Sequence, residues 1–126
     1  MVANLADRLL EVEQVRGVTV VKFTRRDILD TYMIEALGEH LYNLADTPGC
    51  RVLISFRGVR RMASAHLGKL VSLHKRLKKI EGRLAFCEIH PDIYEIFQLF
   101  GFRRLVRIYK SEQDALVDLE QVSLVA

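Results

Sequence analysis

Ser64 has the clearest chemical opportunity in this 126-residue chain. It stands in the stretch GVRRMASAHLGKL, residues 58–70, between a short apolar run and a long amphipathic one. As the N-cap of a helix beginning there, its hydroxyl would accept from the amide of residue 66 or 67, a cap worth about 1 kcal/mol. The same geometry suits a phosphate. Free amides and the positive end of the helix dipole favour an anion, and a phosphoserine would add close to two negative charges. Arg57, Arg60 and Arg61 lie near enough in sequence to pair with it. Caps are the commoner use of such a serine, and on these residues alone both uses stay open.

Other chemistry has little support. No GxSxG elbow surrounds Ser55, Ser64, Ser72 or Ser111, and neither a GxxxxGK[ST] phosphate loop nor a GxGxxG fingerprint occurs. His40, His66, His74 and His90 are scattered along the chain. A site needs several groups to converge, so each reads as an ordinary surface or core residue. Cys50 and Cys87 have no CxxC spacing and suggest neither zinc nor a disulfide framework. They read as reduced thiols of a cytosolic protein. No catalytic residue, metal site or cofactor is expected.

The run HKRLKKIEGR, residues 74–83, is the strongest basic cluster. It could touch nucleic-acid phosphates. Few aromatics interleave with the charges, so base stacking has no footing. The run reads as the solvated face of a helix with cations toward its C-terminus, and no specific nucleic-acid partner is expected. A net charge of +3, with 50% hydrophobic and 28% charged residues, describes an ordinary globular protein. No apolar run nears the roughly 18 residues that span a bilayer. The N-terminal MVANLADRLLEVE carries Asp7, Arg8 and Glu11, unlike a secretory signal. The expectation is one cytoplasmic domain over residues 1–126, with no membrane partner.

The elements that must position Ser64 follow from the apolar pattern. Leu10–Arg16 and VTVVKF (Val18–Phe23) form a hairpin turning at Gly17. Asp30 caps a helix carrying Met33, Ile34, Leu37, Leu41 and Leu44, closed by Pro48-Gly49. Cys50–Phe56 reads as a strand buried on both faces. Past Ser64, Leu67, Leu70, Val71, Leu77 and Ile80 form the next helical stripe, ending at Gly82. RLAFCEI is a strand, and Pro91 opens a helix whose buried face is Ile93, Ile96, Phe97 and Phe100. Phe102, just past Gly101, is a candidate for exposure toward a partner. LVRIY is the last strand, and Ser111 with Asp114 starts the last helix. The order β-β-α-β-α-β-α-β-α predicts an α/β fold: a four- or five-stranded mixed sheet, an antiparallel hairpin at its edge, and about four helices. Sites in such sheets gather beyond the carboxyl ends of strands, where the loop from Gly58 to Ser64 falls.

This pattern resembles the STAS domain of bacterial anti-sigma factor antagonists, from about Leu10 to Leu119. That family places a D-S-S-G-L-G loop between a strand and a helix. Here VLISFRGVRRMASAHLGKLVSLHKRLKK has the same layout, with Ser64 on the phosphorylated serine and Leu67-Gly68 on the L-G. Ala63, Ala65 and His66 replace the acidic residue, the second serine and the glycine, and Ser55 takes another acidic position. GRLAFCEIHPDIYEIFQLFGFRRLVRIYKSEQDAL is similar to the family's later half. The resemblance implies a non-enzymatic module in a partner-switching pathway that binds an anti-sigma factor/serine kinase. The candidate contact face is Arg60, Arg61, Met62, Ala63, Ser64, Ala65, His66 and Lys69. It also leaves room for a scaffold subunit of a signalling assembly without phosphorylation, or a domain binding a small ligand or nucleotide.

Overall fold

Arg16 and Gly17 both take left-handed backbone, with φ 49° and 81°, as a two-residue hairpin turn requires. They join β1 (Leu10–Val15) to β2 (Val18–Phe23), with Val15 opposite Val18 and Leu10 opposite Phe23. This is the hairpin expected at Gly17. In this computed structural model, residues 9–124 are described, with side chains as far as residue 120.

The chain continues through β3 (Asp27–Ile28), α1 (Thr31–Leu44), β4 (Arg51–Ser55), β5 (Arg61–Met62), α2 (Ser64–Lys79) and β6 (Arg83–Cys87). Then come α3 (Pro91–Leu99), a 3-10 turn (Phe102–Arg104), β7 (Arg107–Tyr109) and α4 (Glu112–Leu124). The main sheet has the order β1-β2-β4-β6-β7. Only β1 runs antiparallel to its neighbour. This is the mixed five-stranded sheet with four helices that the alternation predicts.

Strand β4 lies at the centre, and its side chains alternate between two apolar layers. Val52 and Ile54 join Leu37 and Leu41 of α1, Leu70 and Leu77 of α2, and Phe97 of α3. Leu53 points the other way, to Ala115, Leu116 and Leu119 of α4. A run of phenylalanines holds the larger layer. Phe56 lies 5.2 Å from Phe86 and 5.5 Å from Phe97, and Phe97 lies 5.0 Å from Phe102. Such pairs contribute about 1 kcal/mol each beyond burial.

Three helix starts fall where expected. Asp30 Oδ1 accepts from the amides of Tyr32 (2.7 Å) and Met33 (3.2 Å). Pro91 occupies the first turn of α3. Ser111 Oγ accepts from the Asp114 amide at 3.1 Å.

The two phenylalanines around Gly101 exchange roles. Phe100 is 60% exposed and Phe102 only 2%. Gly101 takes φ 72°, ends α3 and turns the chain back, so Phe102 folds under the helix. On α2, Leu73 and His66 join the buried stripe, while Val71 and Ile80 are half-buried. Two short strands were not expected. Asp27 pairs with Arg61 and Ile28 with Met62, in a parallel ladder set apart from the main sheet.

Candidate functional site

The small β3–β5 ladder sets where α2 begins. The Arg60 amide donates to the Arg26 carbonyl (2.7 Å), and the Ala63 amide to the Ile28 carbonyl (2.8 Å). That pairing keeps the chain extended through Ala63, at φ −73° and ψ 146°. Ala63 therefore occupies the N-cap position, and its carbonyl accepts from the His66 amide at 3.0 Å. Ser64 is the first helical residue, one place too late to cap. No side chain caps this end, and no acidic residue lies in the first turn. The expectation that Ser64 is the cap is corrected by this tertiary pairing.

Ser64 is exposed, as are its neighbours Ala65, Arg57 and Arg60. Arg57 and Arg60 have no ion pair among the described residues. Arg61 is committed: Nε and Nη2 fork onto Asp27 Oδ1 and Oδ2 at 3.2 and 3.0 Å. That hydrogen bond holds the Asp27 carboxyl below its usual range. Lys69 is half-buried, and its Nζ lies 2.9 Å from Glu35 Oε2, joining α2 to α1. Asp27 and Glu35 each lie 34 residues from their partners. No local pattern signals such pairs.

Two of the eight candidate contact residues are core residues. Met62 is 7% exposed and His66 is 0% exposed. The His66 ring packs against Phe23, and neither nitrogen has a hydrogen-bond partner among the described residues. Burial, with the nearby Lys69 charge, lowers its pKa to about 4, so the ring is neutral at neutral pH. Neither side chain is available to a partner. Arg60, Arg61, Ser64 and Ala65 form the exposed part of the face, with Ala63 and Lys69 half-covered.

Ser55, at the end of β4, is 1% exposed, and its Oγ accepts weakly from the Arg57 amide at 3.4 Å. It turns the chain into the loop rather than facing solvent. Among the described residues, no three His, Cys, Asp or Glu side chains are placed to hold a metal ion. Within the same residues, no helix is long and apolar enough to cross a membrane.

Both the sequence and the fold are similar to those of known proteins. The chain is 25% identical over 115 residues to the anti-sigma F factor antagonist of Paenibacillus polymyxa, covering 90% of this chain and 97% of the relative. Its fold matches the anti-sigma-factor antagonist (STAS) domain protein of Planctomyces limnophilus with a TM-score of 0.78, at 24% identity, over 87% of this chain and 97% of the other. It matches the Bacillus cell fate determinant SpoIIAA in its phosphorylated form with a TM-score of 0.66, at 16% identity, over 87% and 98% of the two chains. The family model of the STAS domain aligns with residues 10–115, and the chain belongs to that family.

Proposed function

We propose that this chain is a non-enzymatic anti-sigma factor antagonist. It binds an anti-sigma factor that is also a serine kinase, through the exposed surface at the start of α2, and Ser64 is the phosphate acceptor. The observation carrying this reading is Ser64 itself: exposed, first in an uncapped helix, with no acidic residue in the first turn and with Arg57 and Arg60 close in sequence and without an ion pair among the described residues. Such a helix end accommodates a phosphate well. The likeness to an anti-sigma F factor antagonist and to a solved phosphorylated antagonist supports the same reading. In the unmodified state Ser64 and Ala65 present a small, neutral surface for close contact. A phosphate adds charge that must be desolvated at the interface, and so releases the partner.

A second reading has its own support. Ala63 and the buried Ser55 are uncharged where the resemblance to the STAS pattern implies acidic residues, which fits a scaffold subunit that is bound but not phosphorylated. One experiment separates the two. The chain is used to isolate its kinase from native extract, and the purified kinase is titrated with wild type and with Ser64→Asp. The switch reading expects binding weakened about tenfold or more, ~1.4 kcal/mol, and ATP-dependent phosphate on Ser64 by mass spectrometry. Equal binding of both forms, with no phosphate transferred, leaves the scaffold reading.

A further inference from the structure

The surface carries two exposed apolar patches of opposite charge. The first is a tip formed by the turn after α3, where Leu99 is 80%, Phe100 60% and Leu105 43% exposed. Arg103 and Arg104 lie within it. Leu105 also borders a groove of about 370 Å³ lined by His74, Lys78, Arg83 and Arg107, with no carboxylate. Burial and the Lys78 charge lower the His74 pKa, so the cations are Lys78, Arg83 and Arg107, of which only Arg107 has an ion pair among the described residues, with Asp118.

The second patch is a groove of about 900 Å³ between α1 and α2. Three carboxylates, Asp30, Glu35 and Glu39, line it against a single cation, Lys69, which Glu35 already holds. Tyr32, 79% exposed, supplies an apolar wall at the acidic end, while the Tyr42 ring, 43% exposed, carries the Arg76 guanidinium 4.3 Å from its centroid at the other. Exposed apolar patches of this kind mark interaction surfaces, and Phe, Tyr and Arg are the residues enriched at them.

We propose that the occupant of each patch is the other patch on a second copy of this chain: the Phe100 tip of one molecule docks in the Tyr32–Tyr42 groove of the next. Charge decides the arrangement. Pairing tip with tip or groove with groove sets like charges together, which is costly. Tip in groove matches cation to carboxylate and places exposed apolar side chains against the Tyr32 wall. An anionic lipid or nucleic acid would satisfy the tip but leave the acidic groove unmatched. The contact is head-to-tail, so it builds a closed ring or an open filament according to its rotation, and either grows with concentration. Through Lys69 the groove borders the Ser64 surface. The test needs this chain alone, so its outcome is independent of the kinase reading.

Sedimentation velocity of the full chain provides the test. At low salt the weight-average sedimentation coefficient should rise with concentration, and at high salt it should fall to the monomer value. A tip variant, Leu99→Ser with Phe100→Ser, and a groove variant, Tyr32→Ser with Glu39→Lys, alter only exposed side chains. Each alone should stay monomeric. Mixed, they should form one-to-one dimers and nothing larger, because one intact tip meets one intact groove. A wild type that stays monomeric at every concentration at low salt overturns the proposal. So does a dimer that survives in both variants. A monomer that instead cosediments with phosphatidylglycerol vesicles, or shifts a single-stranded oligonucleotide, reassigns the tip to those anions.

Discussion

The rings of Phe23 and His66 stand nearly perpendicular, at 74°, with centroids 5.5 Å apart. This contact joins the end of β2 to the first turn of α2, two residues past Ser64. It places an imidazole whose two nitrogens lack hydrogen-bond partners among the described residues inside an apolar layer. Such a group costs free energy to bury, and far more once protonated.

Acid should therefore loosen this region. The His66 pKa falls from 6.5 to about 4 on folding, so the unfolded chain binds the proton more readily. The contribution of His66 to stability is complete above pH 6.5, declines as the pH falls toward 4, and changes no further below that. The full loss is about 3 kcal/mol. His66→Leu removes both nitrogens while keeping an apolar side chain. Urea unfolding should show a flatter pH profile for this variant between those limits and equal or greater stability at neutral pH. An unchanged slope would mean other groups govern the acid response.

The vacant cap of α2 is a stabilising opportunity. Ala63→Asp places a carboxylate at the N-cap and should add about 1 kcal/mol, read as a higher Tm. Ser64→Ala should change stability by less than about 0.5 kcal/mol, because the hydroxyl is exposed and caps nothing. A large loss in Ser64→Ala would restore the serine as the cap.

These substitutions show where the sequence was legible and where it was not. Asp30, Pro91 and Ser111 act within a few residues of themselves, and each starts its helix where the local pattern puts it. The hairpin at Gly17 and the doubly buried β4 are likewise readable, from turn chemistry and from an unbroken apolar run. Ser64 carries an equally good local signal, yet the cap falls on Ala63, because a ladder to Ile28 decides where the extended chain stops. Two-residue strands have no periodicity to detect. Phe100 and Phe102 differ only in which side of a left-handed glycine they occupy, and hydrophobicity alone cannot rank them. His66 sits one residue from Leu67 on the buried stripe, but a histidine there reads as polar until the packing is seen.

The two thiols should differ sharply in reactivity. Burial raises the Cys87 pKa to about 12, and the residue is 0% exposed, while Cys50 is only half-buried. Thiolate is the reactive form. Brief iodoacetamide treatment of the native protein should give one adduct, at Cys50, and treatment in denaturant two. A native double adduct would show that β6 opens readily.

Gly82→Ala and Gly101→Ala separate steric from conformational cost. At Gly82 a Cβ would lie 2.7 Å from the Cys50 carbonyl oxygen and 2.8 Å from Leu77 Cδ2. That carbonyl also accepts from the Arg83 amide at 2.9 Å, so it cannot retreat freely. A loss of about 1–3 kcal/mol is expected. At Gly101 nothing lies within 4 Å of the added Cβ, but φ is 72°, and the left-handed backbone alone should cost about 1–2 kcal/mol. Thermal unfolding of both variants checks the pair. A neutral Gly82→Ala would mean the β4–β6 junction yields.

The ladder between residues 27–28 and 61–62 also governs how a protease meets this surface. Arg25, Arg26, Arg57, Arg60 and Arg61 are all exposed, and all lie in the two segments that this ladder ties together. Trypsin must draw several residues of extended chain into its cleft. Here the amides of Arg60 and Arg61 both donate to the Arg26 carbonyl, so neither segment can be drawn out without prising off the other. Five cleavable bonds thus share one opening event, and a bound partner that grips either segment would shield both from digestion.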